Sequence, residues 1–289
     1  SRLLPSSVDA RGTEIPAILA AWRPPEEHTP VAELQGIDVS SYQGAIDWPA
    51  VATAGKQYAF IKASEDGYGA DPFFAQNWQH SLAAGMIRGA YHFARPADVS
   101  PALSVTLLQE TLLKVGGLLP GDLIALDLEA GTGDLLRWTA EWLDLAKRTF
   151  GLAPFLYSAH WFMGPNNLED HAPSLGAYSL WLASYQPTVP PVSPGWDRLA
   201  MWQSGQGRVP GIVGDVDLDT FYGTREELFA LGKPKPINTS PNGLLSQARI
   251  DAMNGAWQQT IELAAAGDEY GARTMQRFLV QAKNVLNLV

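Results

Sequence analysis

The stretch Leu123-Ile-Ala-Leu-Asp-Leu-Glu129 is an apolar run that ends in two acids. Its composition suits a buried strand. Residues two apart on a strand point to the same face, roughly 6.5–7 Å apart along the chain. Asp127 and Glu129 are therefore expected to project into one space at a strand's C-terminal end. In α/β barrels that end carries the active site. A carboxyl beside another acid, on apolar walls, has its pKa raised. It can stay protonated and act as general acid on a glycosidic oxygen. The other acid stays ionised and steadies positive charge at the anomeric carbon, or orients a group that does. Taken alone, Asp-x-Glu also reads as a strand-end cap beside a salt-bridge partner.

Further strand-like runs flank this one, at Gly36–Ser40, Tyr58–Ser64, Ile87–Ala94, Pro154–Ala159, Leu180–Tyr185, Leu199–Ser204 and Val216–Phe221. Helix signals fall between several of them. Asp71-Pro72 reads as an N-cap with Pro at the first helical position, and that helix stops at Gly85. Ser100-Pro101 opens a second helix that ends near Gly116. A third runs from Asp134 to Gly151, and Thr224 with Glu227 forms a capping box for a fourth. Strand–helix alternation predicts an α/β fold with a mostly parallel sheet. Eight strands suggest a barrel. The interval from Tyr185 to Leu199 is too short for a helix, so the barrel should be irregular.

The chain has 289 residues, 46% of them hydrophobic and 17% charged, which is enough for a sizeable core. Its net charge of −10 disfavours nucleic acid and anionic membrane surfaces as partners. With no cysteine, disulfides and thiol catalysis are excluded. No run is long and apolar enough to span a membrane. Ser1–Pro5 lacks the apolar segment of a signal peptide. Access to a cell wall would then follow removal of a signal, release at lysis, or carriage in a virion.

Other acids close other strands: Asp38 in Gly36-Ile-Asp-Val-Ser40, and Asp217 and Asp219 in Val216-Asp-Leu-Asp-Thr-Phe221. Barrel geometry would converge them. Asp215, Asp217, Asp219 and Glu226 also have calcium-loop spacing. However, Thr220 stands where the turn needs Gly, and the segment reads as a strand. No His pair has zincin spacing, so no metal or other cofactor is expected.

These segments together resemble the glycoside hydrolase family 25 lysozymes, the N,O-diacetylmuramidases. The matching runs are Gly36-Ile-Asp-Val-Ser-Ser-Tyr-Gln-Gly44 with Ile46-Asp-Trp48, Phe60-Ile-Lys-Ala-Ser-Glu65, Gly89-Ala-Tyr-His-Phe93 and Asp127-Leu-Glu129. Leu156-Tyr157-Ser158, Leu180-Trp-Leu-Ala183, Met201-Trp-Gln203 and Val216–Phe221 follow in order. The resemblance covers roughly residues 36–225. It implies an irregular (β/α) barrel with fewer helices than strands. It also implies cleavage of the β-1,4 bond between N-acetylmuramic acid and N-acetylglucosamine in bacterial peptidoglycan, as in endolysins and virion lysozymes. It places the general acid on Glu129 with Asp127 assisting, and matches Asp38 and Asp217 to the family's other cleft acids. Tyr91, Tyr157, Trp181, Trp202 and Gln203 become substrate-binding candidates. Many relatives carry Asn in place of Asp219, which leaves open whether Asp217 or Asp219 faces the cleft; Asp217 is favoured. By parity Tyr91 and Phe93 share a face, and His92 opposite them is read as a packed, hydrogen-bonded histidine.

Two rivals stand beside this reading. A chitinase-like motif aligned on Glu129 finds Asp122 and Asp127 but Ala125 in its third acid position. A retired sugar-binding or structural protein of a phage-like particle would be free to lose the acids that remain. The domain reading is an extended arm over 1–35, a catalytic barrel over 36–232, and a linker with a helical hairpin over 233–289. That hairpin, Gln247–Ala266 and Glu269–Val289, is a candidate for self-association, docking or wall binding through 237–289.

Overall fold

The computed structural model describes residues 32–169 and 175–233. The arm up to residue 31 and the C-terminal hairpin lie outside the described residues. Strands β1 (Glu33–Val39), β2 (Tyr58–Glu65), β3 (Gly69–Ala70), β4 (Ile87–Phe93), β5 (Leu123–Asp127), β6 (Phe155–Ala159), β7 (Ser179–Ala183), β8 (Met201–Gly207) and β9 (Val216–Tyr222) form one sheet. Its order is β1-β9-β8-β7-β6-β5-β4-β2-β3, and β1 also pairs with β2, which closes an eight-stranded barrel. Pairings around the ring are parallel except those of β9, which runs antiparallel to β8 and β1. The short β3 is a hairpin arm on β2.

Described helices are α1 (Trp48–Thr53), α2 (Phe74–Ala83), α3 (Pro101–Lys114), α4 (Leu135–Phe150), α5 (His160–Met163) and α6 (Arg225–Leu231). The chain crosses from β7 to β8 without a helix. The caps read from sequence form at α3, α4 and α6: Ser100 accepts from Leu103 N, Asp134 from Arg137 N, and Thr224 and Glu227 bond reciprocally. Each such cap stabilises its helix by about 1 kcal/mol. Gly151 ends α4 at φ 72°, a left-handed position that glycine enters without strain.

Two expectations shift. Helix α2 starts at Phe74, not after Asp71, and its N-cap Phe73 makes no side-chain cap bond. The Asp71 carboxylate instead accepts from Phe73 N at 2.9 Å and Ser41 N at 3.0 Å, so it ties this turn to the loop after β1. The barrel also begins before residue 36, because β1 pairs with β9 from Glu33 onward and Leu34 is buried.

Period-2 alternation sorts the side chains into two cores. Outward-facing Ile124, Leu126 and Leu128 pack against Leu108, Leu112, Trp142 and Leu143 of α3 and α4. Inward-facing Leu34, Tyr58, Phe60, Leu123, Phe155, Met201 and Phe221 fill the barrel. Gly36 and Gly89 make this interior possible. A Cβ there would lie 2.3 Å from the rings of Tyr58 and Phe60 respectively. Phe60 then packs on Trp181 with ring centroids 4.6 Å apart, and Trp181 meets Tyr157 edge-on at 4.7 Å. These rings fill the barrel interior below the C-terminal ends of the parallel strands.

Candidate active site

The end of the barrel where the parallel strands finish holds a cleft of about 370 Å³. Asp127 is the last residue of β5 and faces inward with Leu123 and Ala125. Leu128 continues the ladder beyond the strand, donating its N–H to Tyr157 O at 3.0 Å and accepting from Ser158 Oγ at 2.7 Å. This anchors the Asp-Leu-Glu backbone and sends Glu129 back into the same cleft.

The two acids sit at different depths. Asp127 is 7% exposed, while Glu129 is half-buried nearer the mouth. Asp127 Oδ1 is buried and receives no hydrogen bond among the described residues. Burial raises the Asp127 carboxyl well above its usual range, and the neighbouring Glu129 raises it further. Burial raises Glu129 as well, helped by Asp217. Lys62 opposes both shifts. The pair titrates as a unit and retains a proton beyond the ordinary carboxylate range.

Lys62 was not singled out from sequence, although its parity with inward-facing Phe60 carries the signal. Its Nζ meets Glu65 Oε2 at 2.5 Å, and Arg95 pairs with the same Glu65. Tyr185 was also missed. It lies beyond β7 on the cleft wall and donates its hydroxyl to Asp217 Oδ1 at 2.7 Å, while Gln206 Nε2 reaches the same oxygen at 3.0 Å. The strand read from sequence ran to Tyr185, on the parity of inward-facing Trp181, so the signal was present; the observed β7 ends at Ala183 and Tyr185 follows it.

The remaining sequence candidates separate into three groups. Asp38, Asp217, Tyr91, Tyr157, Trp181 and Gln203 line the cleft with Asp127 and Glu129. Trp181 belongs to the floor, with 2% of its surface exposed and its Nε1 donating to Asp219 Oδ1 at 2.8 Å. Trp202 lies apart from the cleft. It packs in the outer core, and its Nε1 donates to Ser184 O at 2.8 Å. It neighbours inward-facing Gln203 on β8, so alternation turns it away from the cleft. The question between Asp217 and Asp219 has a different form from the one posed. Both stand on the inner face of β9: Asp217 borders the cleft, and Asp219 is fully buried beneath it.

His92 is buried on the outer face of β4, bonded to Ser64 Oγ at 2.9 Å, Asp66 Oδ1 at 3.0 Å and Ser104 Oγ at 2.7 Å. Asp215, the first residue of the calcium-loop spacing, pairs with Arg208 at 2.9 Å, and the strand β9 follows it directly. Asp122, which the chitinase-like alignment required, precedes β5 at the opposite end of the barrel. Its carboxylate is held by Arg88 at 2.7 and 2.8 Å.

Comparison with known proteins bears on the family and the fold. The family model described as "Glycosyl hydrolases family 25" matches residues 37–212. An uncharacterized protein, YegX, of Escherichia coli O157:H7 is 36% identical over 217 residues, covering 70% of this chain and 75% of its own. Lysozyme M1 of Streptomyces globisporus is 34% identical over 244 residues, covering 76% and 79%. The crystal structure of the bacterial lysozyme from Streptomyces coelicolor superposes with a TM-score of 0.61 at 30% identity, covering 70% of this chain and 97% of that one. With sequence and fold matching over that extent, the chain belongs to glycosyl hydrolase family 25 and is a glycoside hydrolase.

Proposed function

We propose that the chain is a lysozyme that hydrolyses the β-1,4 bond between N-acetylmuramic acid and N-acetylglucosamine in bacterial peptidoglycan. The observation that carries this reading is the Asp127/Glu129 pair. Two acids with raised carboxyls share one open cleft at the end of β5, walled by Tyr91, Tyr157 and Tyr185. Glu129, the member nearer the mouth, gives its proton to the bridging oxygen as the bond from that oxygen to the anomeric carbon breaks. The electron pair leaves with the oxygen, and positive charge develops on the anomeric carbon and ring oxygen. Asp127, as carboxylate, steadies that charge or orients the acetamido group of the same sugar. Water then adds its hydroxyl to the anomeric carbon, and its proton returns to Glu129. Related proteins named lysozymes and N,O-diacetylmuramidases support the choice of substrate.

The test is clearing of purified peptidoglycan by the full chain, with product ends analysed. Wild type should release reducing muramic acid ends, and Glu129→Gln should lose activity by about 10²–10⁴-fold. Absence of those ends, or full activity in Glu129→Gln, overturns the reading.

A further inference from the structure

Beneath Asp127 and Glu129 a second pair of acids meets. Asp219 of β9 is fully buried, and its Oδ1 accepts from Trp181 Nε1 at 2.8 Å. Its Oδ2 is buried too, with no N–H or O–H donor recorded on it among the described residues. Asp38, on neighbouring β1, faces the same interior, and its carboxyl hydrogen-bonds with that of Asp219. Two carboxylates form a hydrogen bond only when a proton sits between them, and two buried like charges in contact are strongly disfavoured. The other contacts of Asp38 extend the chain of bonds. Its Oδ2 accepts from Gln203 Nε2 at 2.7 Å, and Gln203 Oε1 accepts from the Tyr157 hydroxyl at 3.0 Å. Each bond therefore points the same way, from Tyr157 to Gln203 to Asp38 to Asp219, and Trp181 donates to Asp219 from the far side. Tyr157 stands opposite Asp127 in the β5–β6 register, so the chain ends beside the reacting pair.

We propose that Asp219 is a positioning residue for the hydrolysis: it takes a hydrogen bond from protonated Asp38, and this shared proton locks Gln203 and Tyr157 in place against Asp127. The proposal rests on Asp127 and Glu129 being the reacting pair. It gives Asp38 the role of a neutral donor in the floor rather than of a base or nucleophile. It also gives Tyr157 a direction. Its own proton is committed to Gln203, so its free lone pair faces the cleft and accepts from a sugar hydroxyl or amide N–H. The charged and titratable groups facing the pair are Asp217 farther along β9, Lys56 before β2, Tyr58 on β2, Tyr91 on β4, Tyr157 on β6 and Tyr185 beyond β7. Asp217 favours keeping the shared proton, and Lys56 opposes it.

The test measures kcat and KM separately on soluble peptidoglycan fragments, using the full chain between about pH 5 and pH 9. Asparagine at position 38 mimics the protonated acid: its amide N–H donates to Asp219 and its oxygen still accepts from Gln203. Asp38→Asn should therefore exceed Asp38→Ala in kcat/KM by about ten-fold or more. Asp219→Leu has no acceptor and should lose about ten-fold or more in kcat/KM. Equal loss in Asp38→Asn and Asp38→Ala overturns the proposal, because it requires an ionised Asp38. So does a folded Asp219→Leu with wild-type kcat and KM. If Asp219→Leu fails to fold, the ratio of the two Asp38 variants decides. Glu129→Gln assayed in parallel separates the two readings: full activity there sinks the reacting pair, whereas its inactivity with equal Asp38 variants sinks only the positioning role.

Discussion

The two ends of β5 carry the same residue type in opposite conditions. Asp122, just before the strand, is 3% exposed and Asp127, at its end, is 7% exposed. Burial raises both carboxyls. Asp122 is answered by three donors: Arg88 Nε at 2.7 Å, a second Arg88 nitrogen at 2.8 Å, and Leu119 N at 2.7 Å. Arg88 is itself held by Trp78 O at 2.8 Å and stacks over the Trp78 ring. Asp127 is answered by a second acid, and its Oδ1 by nothing among the described residues. A buried acid whose charge is fully paired is costly to unpair, whereas one left unpaired beside a second acid leaves a proton shared within the pair. Burial of an acid is thus no sign of function by itself. The company it keeps separates the two cases.

Exchange of acid for amide at each end should give opposite phenotypes. The largest effect belongs to Asp127→Asn, with a loss of about 10²–10⁴-fold in kcat and a melting temperature unchanged or raised. Asp122→Asn should do the reverse. It strands the Arg88 guanidinium and costs about 3–5 kcal/mol of stability, while the folded fraction turns over at the wild-type rate. Denaturant titration and active-site-normalised rates distinguish them. An Asp122→Asn protein that is stable but slow would break the contrast.

The pH dependence of activity should show the pair directly. Because Asp127 and Glu129 are both raised, the donated proton is present at acidic and neutral pH and is lost as pH climbs through their raised values. The alkaline limb of kcat/KM should therefore lie above the ordinary carboxylate range. A limb at the usual Glu value would contradict the shift.

Stability should follow pH through the buried Asp38/Asp219 pair, which shares one proton and in which burial pushes the Asp219 carboxyl from 3.8 up to about 7. Between those values the folded state holds a proton that the unfolded state has released. Its contribution is full below the unfolded value and falls as pH rises toward 7, by the sign of proton linkage. Asp219→Asn removes this titration, so its melting temperature should gain a few degrees over wild type near pH 8 and less near pH 5. Scanning calorimetry at the two pH values checks this. The smallest effect belongs to Tyr185→Phe. It removes one hydrogen bond from half-buried Asp217 and should cost about 1 kcal/mol of binding, read as a several-fold rise in KM.

Much of the barrel was readable because its signals are local. Period-2 alternation put Asp127 inward and His92 outward. Capping residues marked where α3, α4 and α6 begin. Local signals failed where a distant residue competed for the same group. Asp71 looks like a helix cap, but it also takes the backbone N–H of Ser41 from another loop, and α2 begins later. Trp202 fitted the resemblance as a sugar platform, yet its parity beside Gln203 put it in the outer core. That parity was already available in the sequence.

The sequence by itself determined the αβ alternation, the face of each strand, and the convergence of acids at one end of the strands. These follow from dihedral geometry and side-chain period, which act over a few residues. Only the closed barrel decided depth and partnership. Gln203 reaches Asp38 across 165 residues of chain, Arg88 claims Asp122, and Asp219 finds its acid partner on β1. Ring closure brings β1 against β9 and so crowds acids that the linear chain keeps far apart. Whether an acid meets a guanidinium, another acid or nothing depends on that crowding. It sets the proton each one holds, and with it the difference between Asp122 and Asp127.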